Sequence, residues 1–360
     1  MGRFEPSADP RDAIQRGFYV PRPGRAIGDE LAASFEIKPS ASQLLVGGVG
    51  SGKTTQLLVA RDKLEASGDV HSVYIDVSLE RDPRSLSWYE LAAAVGLELA
   101  SRLSPGEGER APLPRERVVL DDVAHGNFEE DPTAMLVTAL RAVHGALARR
   151  KPHVVVLVDA LDRMVDLKGF QRIAAEAVPL LRSAGIGVIL VGPLTAIYGL
   201  GGTITDRFDR FHHLPTIDVQ NDEEGRTFLR EVLRVRDVGK LLSDDACGLL
   251  ASLSGGVLRD LIALTQLAGE EAYVEGADRV EVPHVDAAAD VFGRKQMAAL
   301  DSAQMESLQR VRTDGTFVET SEKDLALLST RRVLEYPRGN PRFAVHPTME
   351  PLLAQLAGFG

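Results

Sequence analysis

Short apolar runs alternate with stretches of helical periodicity along the first 220 residues of the chain. The apolar runs predict strands at 42–47, 70–77, 154–159 and 186–191, with an edge strand at 213–217. Runs that are apolar throughout are typical of strands buried on both faces in a parallel sheet. The alternation therefore predicts an α/β domain over residues 21–218, with a parallel sheet covered by helices on both faces.

The pattern changes twice beyond this domain. Helical periodicity without strands continues over 219–301, which predicts an all-helical lid. Residues 302–360 then combine two helices, two short strands around a Pro-Arg-Gly-Asn-Pro turn and a final helix. These are the elements of a winged helix. Residues 1–20, rich in Pro, Gly, Asp and Arg, predict an irregular N-terminal segment.

The segment 103–131 interrupts the α/β alternation. It begins with several prolines and glycines, and it carries three basic and eight acidic side chains. Such a composition is typical of a surface loop, so we predict an acidic loop insertion here.

The overall composition is that of a soluble globular protein. Of the 360 residues, 44% are hydrophobic and 26% are charged, and the formal net charge is −11. This charge disfavours a protein that coats nucleic acid nonspecifically. No apolar run reaches the ~18 residues that span a bilayer, and the N-terminus has no apolar signal segment. With Cys247 as the single cysteine, we expect a cytoplasmic protein without disulfides or membrane contact.

One motif carries specific chemistry. The pattern GxxxxGK[ST] is matched between a predicted strand and a predicted helix by Gly47, Gly48, Val49, Gly50, Ser51, Gly52, Lys53 and Thr54. The glycines let main-chain N–H groups turn inward as an anion cradle, and Lys53 reaches the β- and γ-phosphates. Thr54 supplies a hydroxyl to Mg²⁺, and Thr55 assists at the α-phosphate. We therefore predict a P-loop that binds ATP or ADP with Mg²⁺; the alternative is a glycine-rich turn without a ligand.

The strand 154–159 ends in Asp159, as the metal-binding Walker B strand of P-loop proteins does. In that position Asp159 would lie beside Thr54 and hold Mg²⁺ through water. The alternative is an aspartate that only caps the next turn. The following residue is Ala160, and the nearest further carboxylate is Asp162.

Together, the P-loop, the sequence Asp159-Ala160-Leu161-Asp162-Arg163, the helical lid and the winged-helix pattern resemble the STAND and origin-initiator branches of the AAA+ superfamily. The resemblance covers residues 18–356. It implies ATP hydrolysis with Asp162 positioning the attacking water. Ala160 stands where AAA+ proteins usually have a glutamate, which indicates slow turnover.

The resemblance also implies roles for three arginines. Arg207 or Arg210 would act as a finger that completes the nucleotide site of a neighbouring subunit, and the alternative is local pairing with Asp206 and Asp209. Arg259, in Ser254-Gly255-Gly256-Val257-Leu258-Arg259, matches the sensor-2 motif that contacts the γ-phosphate. The alternative for Arg259 is a surface residue beside Asp260.

The N-terminal segment with Tyr19, Val20 and Arg22 resembles the stretch that packs on adenine in these ATPases. Apolar side chains suit the face of a base, and main-chain groups can recognise its amino group. The alternative is an arm that closes the edge of the sheet.

The sequence thus predicts a nucleotide-dependent conformational or oligomerisation switch that self-associates. The resemblance also implies a separate protein effector, as in bacterial regulation or defence. Two alternatives remain: a DNA-binding initiator-like ATPase, and a nucleotide-bound scaffold with negligible turnover. A DNA-binding winged helix should be basic, yet residues 302–360 carry seven basic and seven acidic side chains. DNA or an acidic partner is expected only at the basic hairpin between Arg331 and Arg342.

Overall fold

The computed structural model forms two compact units. It describes residues 4–5, 10–24, 26–79, 81–103, 113–164, 166–198, 204–318, 321–337 and 341–357. The sheet unit comprises Ile27–Val46 and Gln56–His213, and the helical unit comprises Met1–Ala26, Gly47–Thr55 and Leu214–Gly360. The predicted boundary between a lid and a winged-helix domain falls inside the helical unit and stays a prediction.

A five-stranded parallel sheet with flanking helices confirms the predicted α/β fold. Its strand order is β2-β3-β4-β1-β5, so β5 lies at an edge as predicted. The strands are β1 (Ser42–Gly47), β2 (Val70–Asp76), β3 (His153–Asp159), β4 (Ile186–Val191) and β5 (Arg210–Leu214). All residues of β1 and β4 are buried, which explains why these strands are apolar without alternation.

The strand β5 ends three residues earlier than the sequence predicts. The predicted span 213–217 crosses Pro215, which has no N–H group to donate to a sheet ladder. The observed strand therefore ends at Leu214.

Helices cover this sheet. They are α2 (Ile27–Ile37), α3 (Lys53–Ala66), α4 (Trp88–Ser101), α5 (Pro114–Ala124), α6 (Thr133–Leu147), α7 (Leu167–Arg172) and α8 (Val178–Ser183), with a π-helical turn at Ile173–Ala177. The buried side chains of α4 to α8 form one core with strands β1 to β4.

The interpretation of 103–131 as a loop is wrong over Pro114–Ala124, which forms helix α5, whereas residues 125–131 are neither helix nor strand. Residues 104–112 lie outside the described ranges, and α5 follows them. Leu120 and Val123 are fully buried at helical spacing, while Asp121 on the same helix is exposed. At Gly96 of α4 an added Cβ would lie 2.6 Å from Leu120 Cδ2, so α5 packs tightly on α4. In the sequence, the apolar stripe of α5 is difficult to recognise because it is narrow and lies among acidic side chains.

The helical unit contains the predicted lid helices. They are α9 (Glu223–Arg234), α10 (Asp244–Leu253), α11 (Leu258–Glu275) and α12 (Val282–Met297). Their apolar faces meet in a core that also buries Phe4. The N-terminal segment is not irregular throughout, because Pro10–Gln15 forms helix α1. Proline at the first helical position favours this start.

The C-terminal elements also match the sequence prediction. They are α13 (Ser302–Asp314), α14 (Glu322–Ser329), β6 (Val333–Tyr336), β7 (Arg342–Val345) and α15 (Glu350–Ala357). β6 and β7 pair antiparallel, with Val333 opposite Val345. A helix pair followed by a hairpin agrees with the predicted winged helix without defining it. Within the described ranges, no helix is long and apolar enough to cross a membrane.

Glu335 is a buried acid in the hairpin. All four residues of β6 are buried, so Glu335 on this strand is removed from water. Burial raises the pKa of Glu335 from its ordinary value of 4.5 to about 7. The folded chain therefore holds a proton at this site that the unfolded chain has already released between these two pH values.

We expect Glu335 to lower the free energy of unfolding as pH rises from about 4.5 to about 7. Because the unfolded state binds fewer protons than the folded state in this range, the free energy of unfolding falls by on the order of 3 kcal/mol over the whole interval. The difference in the free energy of unfolding between Glu335→Gln and the wild type should therefore shift in favour of the variant from pH 5 to pH 8. Urea denaturation at both pH values measures this difference. Glu322→Gln, at an exposed position of α14, is the control. An equal effect of Glu335→Gln at both pH values would contradict the prediction.

Candidate nucleotide-binding site

The P-loop adopts a conformation that requires glycine at two positions. The loop begins where β1 ends at Gly47, and α3 begins at Lys53. Between them Gly50 has a φ of +81° and Gly52 a φ of +96°, values that side chains with a Cβ rarely adopt. Left-handed residues in a turn direct successive N–H groups to one side, which creates a concave anion site.

The loop packs directly on the start of the lid helix α11. An added Cβ at Gly50 would lie 2.6 Å from Arg259 Cβ and 3.2 Å from Val257 Cγ1, and one at Gly52 would lie 3.3 Å from Leu258 Cδ1. The N–H of Arg259 also points to the Gly50 carbonyl at 3.4 Å. The structure thus brings together two motifs that are more than 200 residues apart in the sequence, the P-loop and the segment that ends in Arg259.

The polar atoms of the loop fit a phosphate group. Lys53 is 5% exposed, and its Nζ donates to the carbonyls of Gly47 and Gly48 at 2.9 Å each. Ser51 is 7% exposed, and its Oγ has no hydrogen-bond partner among the described residues. A buried hydroxyl without a partner is costly, and a bound anion would satisfy it. Thr54 and Thr55 are half-buried in the first turn of α3.

The N-terminal segment is fixed next to the loop. Arg22 donates from Nη1 to the Ser51 carbonyl at 3.3 Å, and its Nη2 donates to the carbonyl of Pro215. Val20 packs against the core of the helical unit, and Tyr19 is half-buried. This places the segment at the P-loop, whereas its contact with an adenine stays a prediction.

In the sheet unit, Asp159 is the last residue of β3 and is 5% exposed. Its Oδ2 accepts a hydrogen bond from the Tyr74 hydroxyl at 2.9 Å, and its Oδ1 accepts one from the Ala160 N–H at 2.7 Å. Ala160 has a φ of +70°, in the left-handed region. Such strain in a residue with a Cβ is concentrated at functional sites. The carboxylate is thus held in one orientation by a neighbouring strand and by a strained turn.

Two residues near Asp159 did not stand out in the sequence. Tyr74 and Asp76 belong to β2, and Asp76 is the register partner of Asp159. Asp76 accepts hydrogen bonds from the N–H and the hydroxyl of Ser78 at 2.9 and 2.6 Å. Both β2 and β3 end in aspartate, and this shared ending is the signal that could have identified Asp76. Asp162 lies in the 3₁₀ turn Leu161–Arg163 and is half-buried; its role with water stays a prediction.

Arg207 and Arg210 lie at the amino edge of the sheet. Both are exposed, and Arg210 begins β5. Asp209 between them binds the N–H of Ser42, the first residue of β1, at 2.8 Å. The ends of parallel strands, including Asp159, lie at the opposite edge. The Asp209 carboxylate pairs with Lys38 and Arg182, and among the described residues no ion pair joins either arginine to Asp206 or Asp209.

The arginines of the C-terminal hairpin have partners within the chain. Arg331 Nε donates to Asp260 at 2.8 Å, and Arg342 Nη2 donates to Asp218 at 2.6 Å. Arg332 donates to the carbonyls of Gln296 and Ala298 at 2.7 and 2.9 Å. Arg338 lies outside the described residues. Two of the four hairpin arginines thus pair with carboxylates of the same chain, and a third donates to main-chain carbonyls.

The part of the chain that the structure describes shows no cluster of three or more metal-ligating side chains. Cys247 is buried, and burial raises the pKa of its thiol to about 11, so it is an unreactive core residue.

The sheet order, the glycine loop after β1 and the carboxylate at the end of β3 define a P-loop nucleotide-binding fold. Residues 38–197 match the family model described as an AAA domain. Residues 38–197 are thus similar to an AAA domain, and the fold supports the AAA+ P-loop architecture that the sequence predicted.

Solved structures are similar to this chain over nearly its whole length. Cdc6p from Pyrobaculum aerophilum is 14% identical with a TM-score of 0.50, and the match covers 99% of this chain and 97% of that one. The Orc1 protein of Aeropyrum pernix, solved in complex with DNA, is 16% identical with a TM-score of 0.48. The match covers 93% of this chain and 94% of that one. The RuvB Holliday junction branch migration motor of Thermotoga maritima is 17% identical with a TM-score of 0.48. The match covers 94% of this chain and 98% of that one. No curated protein matches the chain.

We expect Gly50→Ala to destabilise the folded protein, because the added Cβ meets Arg259 in a left-handed backbone. The expected loss is about 1–3 kcal/mol in the free energy of unfolding, measured by urea denaturation without nucleotide. Gly48→Ala is the matched control in the same loop, since no atom lies within 4 Å of its added Cβ. This control should change stability by less than about 0.5 kcal/mol. Equal effects of the two substitutions would show that the close contact at Gly50 is absent in solution.

Proposed function

We propose that this chain binds Mg-ATP and acts as a nucleotide-dependent conformational and oligomerisation switch. The observation that carries the proposal is the P-loop, in which Lys53 is buried and the buried Ser51 hydroxyl has no partner in the part of the chain that the structure describes. A bound phosphate would satisfy the Ser51 hydroxyl and offer oxygens to Lys53, which donates to two loop carbonyls in the structure. Its packing on the start of α11 then provides a route from the nucleotide to the lid.

Each residue of the loop has a defined task in this proposal. Main-chain N–H groups of the loop bind the phosphates, and Lys53 exchanges its two carbonyl partners for phosphate oxygens. The Thr54 hydroxyl holds Mg²⁺, and Thr55 contacts the α-phosphate. Asp159 holds water ligands of the metal, since its orientation is already fixed by Tyr74. Mg²⁺ supplies positive charge that neutralises the phosphate oxygens.

Hydrolysis in this proposal is slow. Ala160 cannot polarise a water molecule, and its left-handed backbone places the following 3₁₀ turn directly after the strand. Asp162 in that turn is the next carboxylate along the chain and is our candidate for positioning the attacking water. The chain would thus remain in its ATP state for long periods, as a switch requires.

The switch needs contacts that distinguish ATP from ADP, because a ligand shifts a conformational equilibrium only through its differential affinity. We assign this contact to Arg259, which begins the lid helix next to Gly50. Arg207 or Arg210 would add a second contact from a neighbouring subunit. Their position at the amino edge of the sheet, with Asp209 taken by other partners, favours a role between subunits over local pairing.

The partner in this proposal is a separate protein effector. DNA binding by an initiator-like ATPase is the alternative, and the sequence placed it on the hairpin between Arg331 and Arg342. The internal pairs of Arg331, Arg332 and Arg342 count against that surface, because phosphate contacts would have to replace them. A scaffold with negligible turnover differs from the switch only in its hydrolysis rate.

Nucleotide binding and assembly are tested together. We expect the wild type to bind ATP and ADP in titration calorimetry, and its mass in light scattering to differ between the two nucleotides. Lys53→Ala should weaken binding about 10- to 100-fold, because a charged hydrogen-bond donor to phosphate is lost. Lys63→Ala is the control; this lysine lies on the same helix, and its side chain is half-exposed and paired with Asp29.

An identical mass with ATP, with ADP and without nucleotide would contradict the switch while leaving nucleotide binding intact. Absence of binding to the wild type would contradict the whole proposal.

Measurements of ATP hydrolysis test the roles of Asp159 and Asp162 separately. We expect phosphate release to be slow in the wild type and to fall a further ~100-fold or more in Asp162→Ala, with ATP affinity unchanged within about twofold. Asp159→Asn should instead shift the Mg²⁺ concentration needed for turnover. If Asp162→Ala hydrolyses ATP at the wild-type rate, another group positions the water.

A further inference from the structure

Asp260 is a buried carboxylate directly beside Arg259. It lies in the first turn of α11 and is 1% exposed. Its Oδ2 accepts a hydrogen bond from Arg331 Nε at 2.8 Å, and His346 Nε2 lies 3.5 Å from the same oxygen. Burial would raise the pKa of Asp260, but pairing with His346 and the charge of Arg331 outweigh it and hold this pKa below its ordinary value. The carboxylate is therefore ionised and paired with the C-terminal module.

The turn before Asp260 is bound to the same module. The Tyr336 hydroxyl donates to the Gly255 carbonyl at 2.9 Å, and both groups are buried. An added Cβ at Gly255 would lie 2.3 Å from Leu334 Cδ1 and 3.0 Å from Pro347 Cδ. Residues from β6 and from the segment after β7 thus enclose the turn that leads into α11.

The hairpin also holds the segment that precedes the lid. Arg342 donates to Asp218 at 2.6 Å, and its guanidinium carbon lies 4.3 Å from the centre of the Tyr336 ring. Next to Asp218, the carbonyl oxygen of Ile217 would lie only 1.9 Å from a Cβ at Gly256. One hairpin therefore fixes the entry to the lid and the start of α11 at the same time.

We propose that Asp260 and Arg331 are positioning residues that couple the C-terminal hairpin to the recognition of the γ-phosphate by Arg259. The start of α11 is clamped between Gly50 on one side and the hairpin on the other, so it cannot shift without changing both contacts. The proposal rests on the role given above to Arg259. Coupling between two sites is reciprocal, so a protein partner that moves the hairpin changes the preference for ATP over ADP.

A buried ion pair is well suited to this task. Replacing such a pair with apolar residues is often neutral for stability, so stability alone gives little reason to keep it. Its geometry is demanding, because a charge-assisted hydrogen bond such as Arg331 Nε to Asp260 Oδ2 is short and directional. The pair thus holds α11 in one position and makes an alternative position costly.

The experiment compares the affinities for ATP and ADP in the full-length protein. We expect Arg331→Gln to reduce the ratio of ATP to ADP affinity by about fivefold or more, with ADP affinity unchanged within about twofold. ADP lacks the γ-phosphate, so a change confined to ATP separates positioning of Arg259 from general loss of structure. Lys323→Ala is the control, because it removes an ion pair with Asp301 on the surface of the same module.

Tyr336→Phe provides a second, milder variant that removes only the hydroxyl contact to Gly255. It should lower the same ratio in the same direction, and circular dichroism establishes that each variant is folded. If Arg331→Gln does not fold, Tyr336→Phe decides alone.

Two failures are distinguishable. If the wild type and Arg259→Ala bind ATP with the same preference over ADP, the role given to Arg259 in the proposed switch is wrong, and the coupling to the hairpin fails with it. If Arg259→Ala abolishes the preference while folded Arg331→Gln and Tyr336→Phe retain it, only the coupling to the hairpin is wrong.

Discussion

The segment from Gly255 to Asp260 is enclosed by close contacts from three parts of the chain. Gly50 contacts it at Arg259, the Ile217 carbonyl approaches Gly256, and Leu334 covers Gly255. None of the three glycine positions accepts a methyl group without displacing a neighbour. Protein interiors at this density transmit displacement instead of absorbing it. Three features therefore depend on one another: the position of the lid helix, the conformation of the P-loop and the position of the C-terminal hairpin.

This enclosure explains why the chain accepts unfavourable local features. Glycine at left-handed positions loses more conformational freedom on folding than other residues, and Ala160 is strained in the same region of backbone space. Ser51 adds a buried hydroxyl that has no hydrogen-bond partner among the described residues. Several of these costs lie in the P-loop, in the turn before α11 and in the turn after β3, and other left-handed residues occur elsewhere in the chain. A loop that binds phosphate needs inward-facing N–H groups, which the left-handed glycines of the P-loop provide.

Features that are encoded by short local patterns could be predicted from the sequence. The P-loop and Asp159 follow from contiguous motifs, and β4 was predicted at its observed bounds because a buried central strand is apolar throughout. Features that depend on pairs of distant residues were not predictable. Arg331 lies 71 residues from Asp260, and Tyr74 lies 85 residues from Asp159. The helix α5 was missed because its buried Leu120 and Val123 are few among charged neighbours.

The hairpin arginines show how such distant pairs change a functional interpretation. In the sequence, Arg331, Arg332 and Arg342 form a cationic group with a single nearby glutamate, which suggests a surface for a polyanion. In the structure, Arg331 and Arg342 neutralise Asp260 and Asp218, carboxylates of the lid and of the segment before it. Removing either arginine would leave a largely buried negative charge, so their main role is internal. The C-terminal module is thus joined to the lid through its own charges, and a partner that binds this module acts on a surface already linked to the nucleotide loop.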